Sequence, residues 1–338
     1  MSETKKFWVG FNLVKGIGPA RMRTLLAHFG DLKTAWEASA IELNAIGLGD
    51  KPLEALLRVR QEVDLDDFWQ QISAQGIGIL TWDDDGYPRR LAEIDQPPPV
   101  LYVRGEILPE DEWAVAVVGT RRVTTYGRQI AEEVGLTLGR NGVTVVSGLA
   151  RGVDAIAHRA ALKAGGRSIA VLGSGVDRIY PPEHRRLAEE MILHGAVISD
   201  YPPGTPPDGV NFPPRNRIIS GLSIAVVIVE AGERSGALIT ANFAADQGRD
   251  VFAVPGNIHS VQSKGPNLLI QNGARPLLSP DEVLEALDLT LIHEHRAARA
   301  ELPVDTTEAS LLRLLSQGEE LLIKRIVGLP GETVEIRN

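Results

Sequence analysis

Residues 114–122 read Ala-Val-Ala-Val-Val-Gly-Thr-Arg-Arg, five apolar residues in a row and then a glycine and two arginines. A strand half exposed to water alternates apolar and polar residues, so an unbroken run is the mark of a strand covered on both faces. The same figure recurs at 144–146, 168–172, 196–198, 224–229 and 251–254, with helical patterns near 127–139, 153–164, 184–194 and 237–247 between the runs. Strands alternating with helices give a doubly wound, mostly parallel α/β sheet.

Around that block the sequence changes character. Residues 1–75 read as short helices. Gly16-Ile17-Gly18-Pro19 and Gly47-Leu48-Gly49 each turn into an apolar helical pattern, which suits either a helix-hairpin-helix contact with phosphate or a plain helical bundle for protein contacts. Between 76 and 105, a strand at 77–81, an acidic turn and Pro97-Pro98-Pro99 before 100–103 suggest an irregular β-extension. Pro280, Asp281 and Glu282 open a helix predicted to end at Leu287. Residues 288–307 read as a linker, and 308–338 offer two helix candidates, 308–315 and 321–327, too few residues for an independent core.

At 338 residues and 43% apolar, the chain can bury substantial cores. It has no cysteine, which excludes disulfides, thiolate nucleophiles and Cys-ligated zinc. No run approaches a membrane span and the start lacks a secretory pattern, so the expectation is a soluble cytoplasmic protein. The net charge is −9, yet residues 113–280 hold 17 Lys and Arg against 13 Asp and Glu. A basic middle sits inside an acidic chain, compatible with a polyanionic partner.

In an open parallel sheet, ligands bind beyond the carboxyl ends of the strands. That rule gathers Gly119, Thr120, Arg121 and Arg122 after the first strand, Ser147, Gly148 and Arg151 after the second, and Gly175 with Arg178 after the third. The fourth leads to Asn211-Phe-Pro-Pro-Arg-Asn-Arg, a proline-stiffened loop presenting Phe212, Arg215, Asn216 and Arg217; the fifth leads to Glu230, Arg234, Ser235 and Gly236. Pro255-Gly256 follows the sixth, with Lys264 and Asn267 beyond. Glycines and helix starts would offer bare amides to an anion, and Arg or Lys would neutralise it. Phe212, Tyr180 and Tyr201 could stack on bases, as single-stranded nucleic acid requires, or could be packing residues.

Other chemistries find less support. The first turn lacks the GxGxxG of a dinucleotide site, and no GxxxxGK[ST] loop exists. Asp154 and His158 stand four apart, the spacing of a general base with its orienter or of a structural pair. His184, His194 and His259 show no metal-ligand spacing, so neither a metal nor a cofactor is expected.

Taken together, Gly119-Thr120-Arg121, Ser147-Gly148, Gly152-Val153-Asp154-Ala155 with His158, Gly175 with Asp177, Tyr180 and Pro181, Phe212-Pro213 with Arg215-Asn216-Arg217-Ile218-Ile219, Ser235-Gly236 with Thr240, and Pro255-Gly256 with Gly265, Asn267, Leu268 and Gly273-Ala274 form an ordered set. That set, over residues 8 to 287, resembles the DNA-processing protein A (DprA, or Smf) family. The resemblance implies an extended Rossmann fold at 76–287 behind a sterile-alpha-motif-like helical domain at 1–75. It also implies single-stranded DNA binding, homodimerisation through the Rossmann domain, loading of RecA recombinase onto incoming DNA in natural transformation, and no enzymatic activity. Carried onto this chain, the pocket would use Arg121 or Arg122, Phe212, Arg215 and Asn216, lined by Ser147, Gly148, Ser235 and Gly236. Gly209 stands where some relatives have a lysine, and residues 308–338 look like part of a winged helix.

A rival reading is a nucleotide-processing phosphoribohydrolase on a similar sheet. Those enzymes carry PGGxGTxxE, whereas Ser235-Gly236-Ala237-Leu238-Ile239-Thr240 has no carboxylate in the following turn.

Overall fold

The structure, a computed structural model, describes residues 2–287. The linker and winged-helix-like segment expected at 288–338 lie outside them.

Six helices open the chain: α1 (Ser2–Leu13), α2 (Pro19–Phe29), α3 (Leu32–Glu37), α4 (Ala40–Ala45), α5 (Asp50–Glu62) and α6 (Leu65–Ala74). Their caps are local. Asp31 accepts from the Thr34 amide, Ser39 and Glu42 close a capping box, and Asp64 accepts from Asp66 and Asp67. Phe11, Met22, Leu25, Leu43 and Leu56 form their core, which runs on into Ile79, Val100 and Tyr102 of the following strands. The buried Tyr102 hydroxyl donates to Asn12 Oδ1 of α1 at 2.9 Å.

Next come β1 (Gly78–Thr81), α7 (Arg89–Ala92) and β2 (Val100–Gly105), and then the alternating block. It runs β3 (Ala114–Val118), α8 (Thr125–Arg140), β4 (Thr144–Ser147), α9 (Val153–Lys163), β5 (Ser168–Val171), α10 (Arg185–Leu193), β6 (Gly195–Ser199), α11 (Phe212–Gly221), β7 (Ala225–Ile228), α12 (Gly236–Asp246), β8 (Asp250–Ala253), α13 (Lys264–Gln271), β9 (Arg275–Pro276) and α14 (Asp281–Ala286). One sheet holds all nine strands in the order β1-β2-β6-β5-β4-β3-β7-β8-β9. β2 runs antiparallel to both neighbours, and β3 to β9 are parallel. Every residue of β3 to β7 is buried, as their unbroken apolar runs require.

The chain walks outward from β3 to β6 and then returns to lay β7 against the other side of β3. At such a reversal the loops leaving β3 and β7 diverge and open a crevice.

Two segments read as loops are helices. Phe212 starts α11, with prolines in the next two positions. Proline lacks an amide hydrogen, but the first-turn amides of a helix have no intrahelical acceptor, so the prolines begin the helix and do not merely stiffen a loop. Likewise Lys264-Gly265-Pro266-Asn267 is the opening of α13.

Candidate functional site

A crevice of about 1060 Å³ lies over the carboxyl ends of β3 and β7. Gly119, Thr120, Arg121, Arg122, Phe212, Arg215, Asn216, Ser235 and Gly236 line it, together with Asp154, Tyr180, Gly209, Arg234, Thr240 and Gln262. A smaller recess adjoins it, where Gly148 and Arg151 meet Tyr180, Pro181, Phe212 and Arg215.

The remaining expected residues lie elsewhere, each for a visible reason. Ser147 is wholly buried and donates to the Val117 carbonyl, fastening β4 to β3. Gly175 is packed under the 202–205 turn, its amide bonded to the Thr205 carbonyl. Asn267 clamps the Gly256 backbone from both sides at 3.1 and 3.0 Å. Lys264 stands beyond the rim, 3.3 Å from Glu233. Arg217 is two residues along α11 from Arg215 and therefore faces away from it. It pairs with Asp200 at 2.7 Å, donates to the Gln96 carbonyl and lines a separate cavity with Pro214 and Phe243.

The floor of the crevice is a buried charge layer. Arg215, only 5% exposed, donates through Nη1 to the carbonyls of Gly148 and Val171. Burial pulls its guanidinium down to about 10, with Asp154 pulling the other way. Asp154 accepts from the amides of Gly148 and Ala150 at 3.2 and 3.3 Å. These bonds flank Leu149, which stands at φ 56 in the left-handed region that non-glycine residues avoid. Burial raises the Asp154 carboxyl, and Arg215 opposes that rise. His158, beneath them, bonds Ser168 through Nδ1 at 2.7 Å, and burial drops it to about 3, so it stays neutral. It is wholly buried and faces no part of the crevice, which makes it a structural residue and not a general base.

The bare amides expected at the helix starts are largely in use. Besides Gly148 and Ala150, the Thr120 amide donates to the Glu230 carbonyl, that of Arg122 to Thr120 Oγ1, and that of Gly256 to Asn267. At the start of α8, where a doubly wound fold would place a dinucleotide's pyrophosphate, the buried Glu230 carboxylate accepts from the amide and hydroxyl of Thr124 at 2.9 and 2.5 Å. Gly127 leaves room for it, since a side chain there would strike Glu230. The chain's own anion already occupies the dinucleotide phosphate position.

What faces the crevice unspent is therefore the rim. Arg121 and Arg122 of the β3 loop and Arg234 of the β7 loop are exposed, and among the described residues no carboxylate lies within ion-pair distance of any of them. Arg121 stands 5.6 Å from the Phe212 ring centre, and Tyr180, 39% exposed, lies 5.9 Å away on the same ring. A guanidinium over an aromatic ring, with further cations beside it, can hold phosphates and the faces of bases together. Arg234 and Tyr180 were visible in the sequence as members of their loops, but nothing there separated them from residues such as Arg151, which Glu183 holds. Among the described residues no cluster of His, Cys, Asp or Glu could hold a metal ion, and no helix is long and apolar enough to cross a membrane.

Comparison with known proteins agrees over the same region. The family model for DNA recombination-mediator protein A matches residues 78–288. Protein Smf of Synechocystis is 42% identical over 286 residues, covering 83% of this chain and 72% of its own. The X-ray structure of DNA processing protein A from Streptococcus pneumoniae superposes with a TM-score of 0.73 at 34% identity, over 83% of this chain and 97% of that one. DNA processing protein A from Helicobacter pylori, whose structure gives insight into a single-stranded DNA binding mode, matches with a TM-score of 0.57 at 30% identity, over 62% and 95%.

Proposed function

We propose that this chain, which belongs to the DNA recombination-mediator protein A family, binds single-stranded DNA in the crevice as a homodimer and delivers it to RecA recombinase during natural transformation. One observation carries the reading: Arg121, Arg122 and Arg234, without a carboxylate partner among the described residues, line one crevice with the Phe212 and Tyr180 rings. Such a site grips backbone charge and any base, so binding is sequence-tolerant and salt-sensitive. The Helicobacter pylori relative's single-stranded DNA binding supports the same ligand. Exposed Ile258, Leu268 and Leu278, carried by the segments that follow β8, support a second copy as partner. Function by binding, without catalysis, is supported by the neutral burial of His158 and the engagement of Asp154 with backbone amides.

Anisotropy of labelled oligo-dT at about 50 and about 200 mM salt tests this. Three phosphate contacts on a single strand predict a loss of roughly twentyfold between the two. Release of base from purine nucleoside monophosphates at an enzymatic rate, with no oligonucleotide affinity, would favour the phosphoribohydrolase reading instead.

A further inference from the structure

Not every cation near the crevice is available. On the flank built by the β4 and β5 loops, Arg151 is held by Glu183. On the opposite flank, built by the β7 and β8 loops, Lys264 is held by Glu233 at 3.3 Å. Both pairs are in water, with side-chain exposures of 61% and 48% for the first and 46% and 63% for the second. Among the described residues the central guanidiniums have no such partner. The molecule therefore has free cations in the middle and an acidic escort on a cation at each side.

We infer that Glu183 and Glu233 are specificity-determining residues that temper the grip on the strand at both flanks of the crevice. The inference rests on the single-stranded DNA reading above. Glu233 lines the crevice itself and Arg151 the adjoining recess, but a ligand the size of one nucleotide seated on Arg121, Arg122 or Arg234 can bind without opening either pair. A longer strand reaches Arg151 and Lys264, but its phosphates gain them only by displacing a carboxylate, which then remains nearby as a like charge. Exposed pairs open at little cost, so the flanks yield to the strand and release it as readily. A firm centre with yielding ends lets a strand be held and still be taken away by another protein. While the pair is closed, the bond from Arg151 holds the Glu183 carboxyl below its usual range, so it is a carboxylate that the phosphate displaces.

The test is anisotropy of labelled dT oligomers with Glu183→Gln, Glu233→Gln and the double variant. Each single change should tighten binding of a long oligomer about twofold to fivefold, the factor set by one exposed pair. The slope of log affinity against log salt should steepen by up to about 0.7 per freed cation. Affinity for dT of two or three nucleotides should change less than that for the long oligomer. Arg151→Ala should weaken long-oligomer binding by the parent, because it leaves Glu183 uncompensated beside the strand, and should erase the gain in the Glu183→Gln background. If Glu183→Gln is unstable, Glu183→Ala replaces it, with the same gain expected and the same absence of gain counting against the inference. Unchanged or weaker long-oligomer binding by both Gln variants, with the parent binding normally, overturns this inference alone. Absence of binding by the parent and every variant overturns it together with the single-stranded DNA reading.

Discussion

The floor and the rim of the crevice are built from the same residue type and put it to opposite uses. Arg215 lies inside the protein, its Nη1 spent on two carbonyls and its charge set beside Asp154. Arg121, 5.6 Å from the same Phe212 ring, is exposed and holds no carboxylate among the described residues. A buried guanidinium cannot turn toward a ligand without abandoning groups that have no water to replace it, so it fixes shape. An exposed one has its donors uncommitted, so it supplies affinity. Stability and binding should thus be separable by mutation, although the residues lie in one pocket.

The hardest test removes the floor. Arg215→Ala leaves the Gly148 and Val171 carbonyls without that donor and Asp154 without its nearby cation. Urea denaturation should show a loss of about 3–5 kcal/mol. A variant of parental stability with abolished oligonucleotide binding would instead place Arg215 among the contacts and erase the distinction. Arg217→Ala supplies the control from the far face of α11. It strands Asp200, whose carboxyl burial already raises, and should cost about 2 kcal/mol of stability while the folded protein keeps parental affinity.

Proton linkage probes the same floor without removing it. His158 is pushed from its ordinary 6.5 to about 3, first by burial and then by the charges of His184, Arg215 and Arg159. The folded state therefore refuses a proton that the unfolded chain accepts. Its stabilising share is complete above pH 6.5 and drains as pH falls toward about 3, reaching a loss of about 2 kcal/mol by pH 5. Asp154 and Asp200, raised by burial, act in the reverse sense, favouring the fold as they take up protons. The informative quantity is accordingly the difference between the parent and His158→Gln, which should flatten this part of the denaturation profile. An unchanged difference from pH 7 to pH 5 would mean that His158 is open to solvent.

How much of this was legible beforehand follows from what each feature depends on. The apolar runs marked six parallel strands to within a residue or two, because burial on both faces excludes charge and leaves room only for small hydroxyls that bond to the chain, as Ser147 and Ser168 do. The carboxyl-end rule then gathered Gly119 to Arg122, Phe212 and Ser235-Gly236 on one edge, and the strand order, visible only in the structure, set them around one crevice. What escaped was pairing. Whether Arg151 is free depends on Glu183, 32 residues away, and whether a helix start is bare depends on Glu230, 106 residues from Thr124. The α11 helix was hidden by its prolines, which signal a loop unless they fall in a first turn. The opposite facing of Arg215 and Arg217 was hidden with it, because facing is meaningless until the helix is known.

The smallest effect falls on the rim, and it decides whether the rim is a contact surface at all. Arg121→Ala removes one guanidinium that touches no carboxylate and contributes only its stacking on Phe212 to the fold, so the unfolding free energy should move by less than about 0.5 kcal/mol. Affinity for oligo-dT should fall about tenfold, near 1.4 kcal/mol, and the salt slope should lose about 0.7, the share of one single-strand phosphate. Arg121→Lys separates the two parts of that loss. Lysine keeps the charge and restores the slope, but it lacks the planar fork that stacks on the ring while gripping an anion, so affinity should recover only in part. Full recovery with lysine would reduce the rim to point charges and make the Phe212 ring a packing residue. Loss of affinity without any change in slope would show that Arg121 reaches no phosphate and acts only by propping that ring.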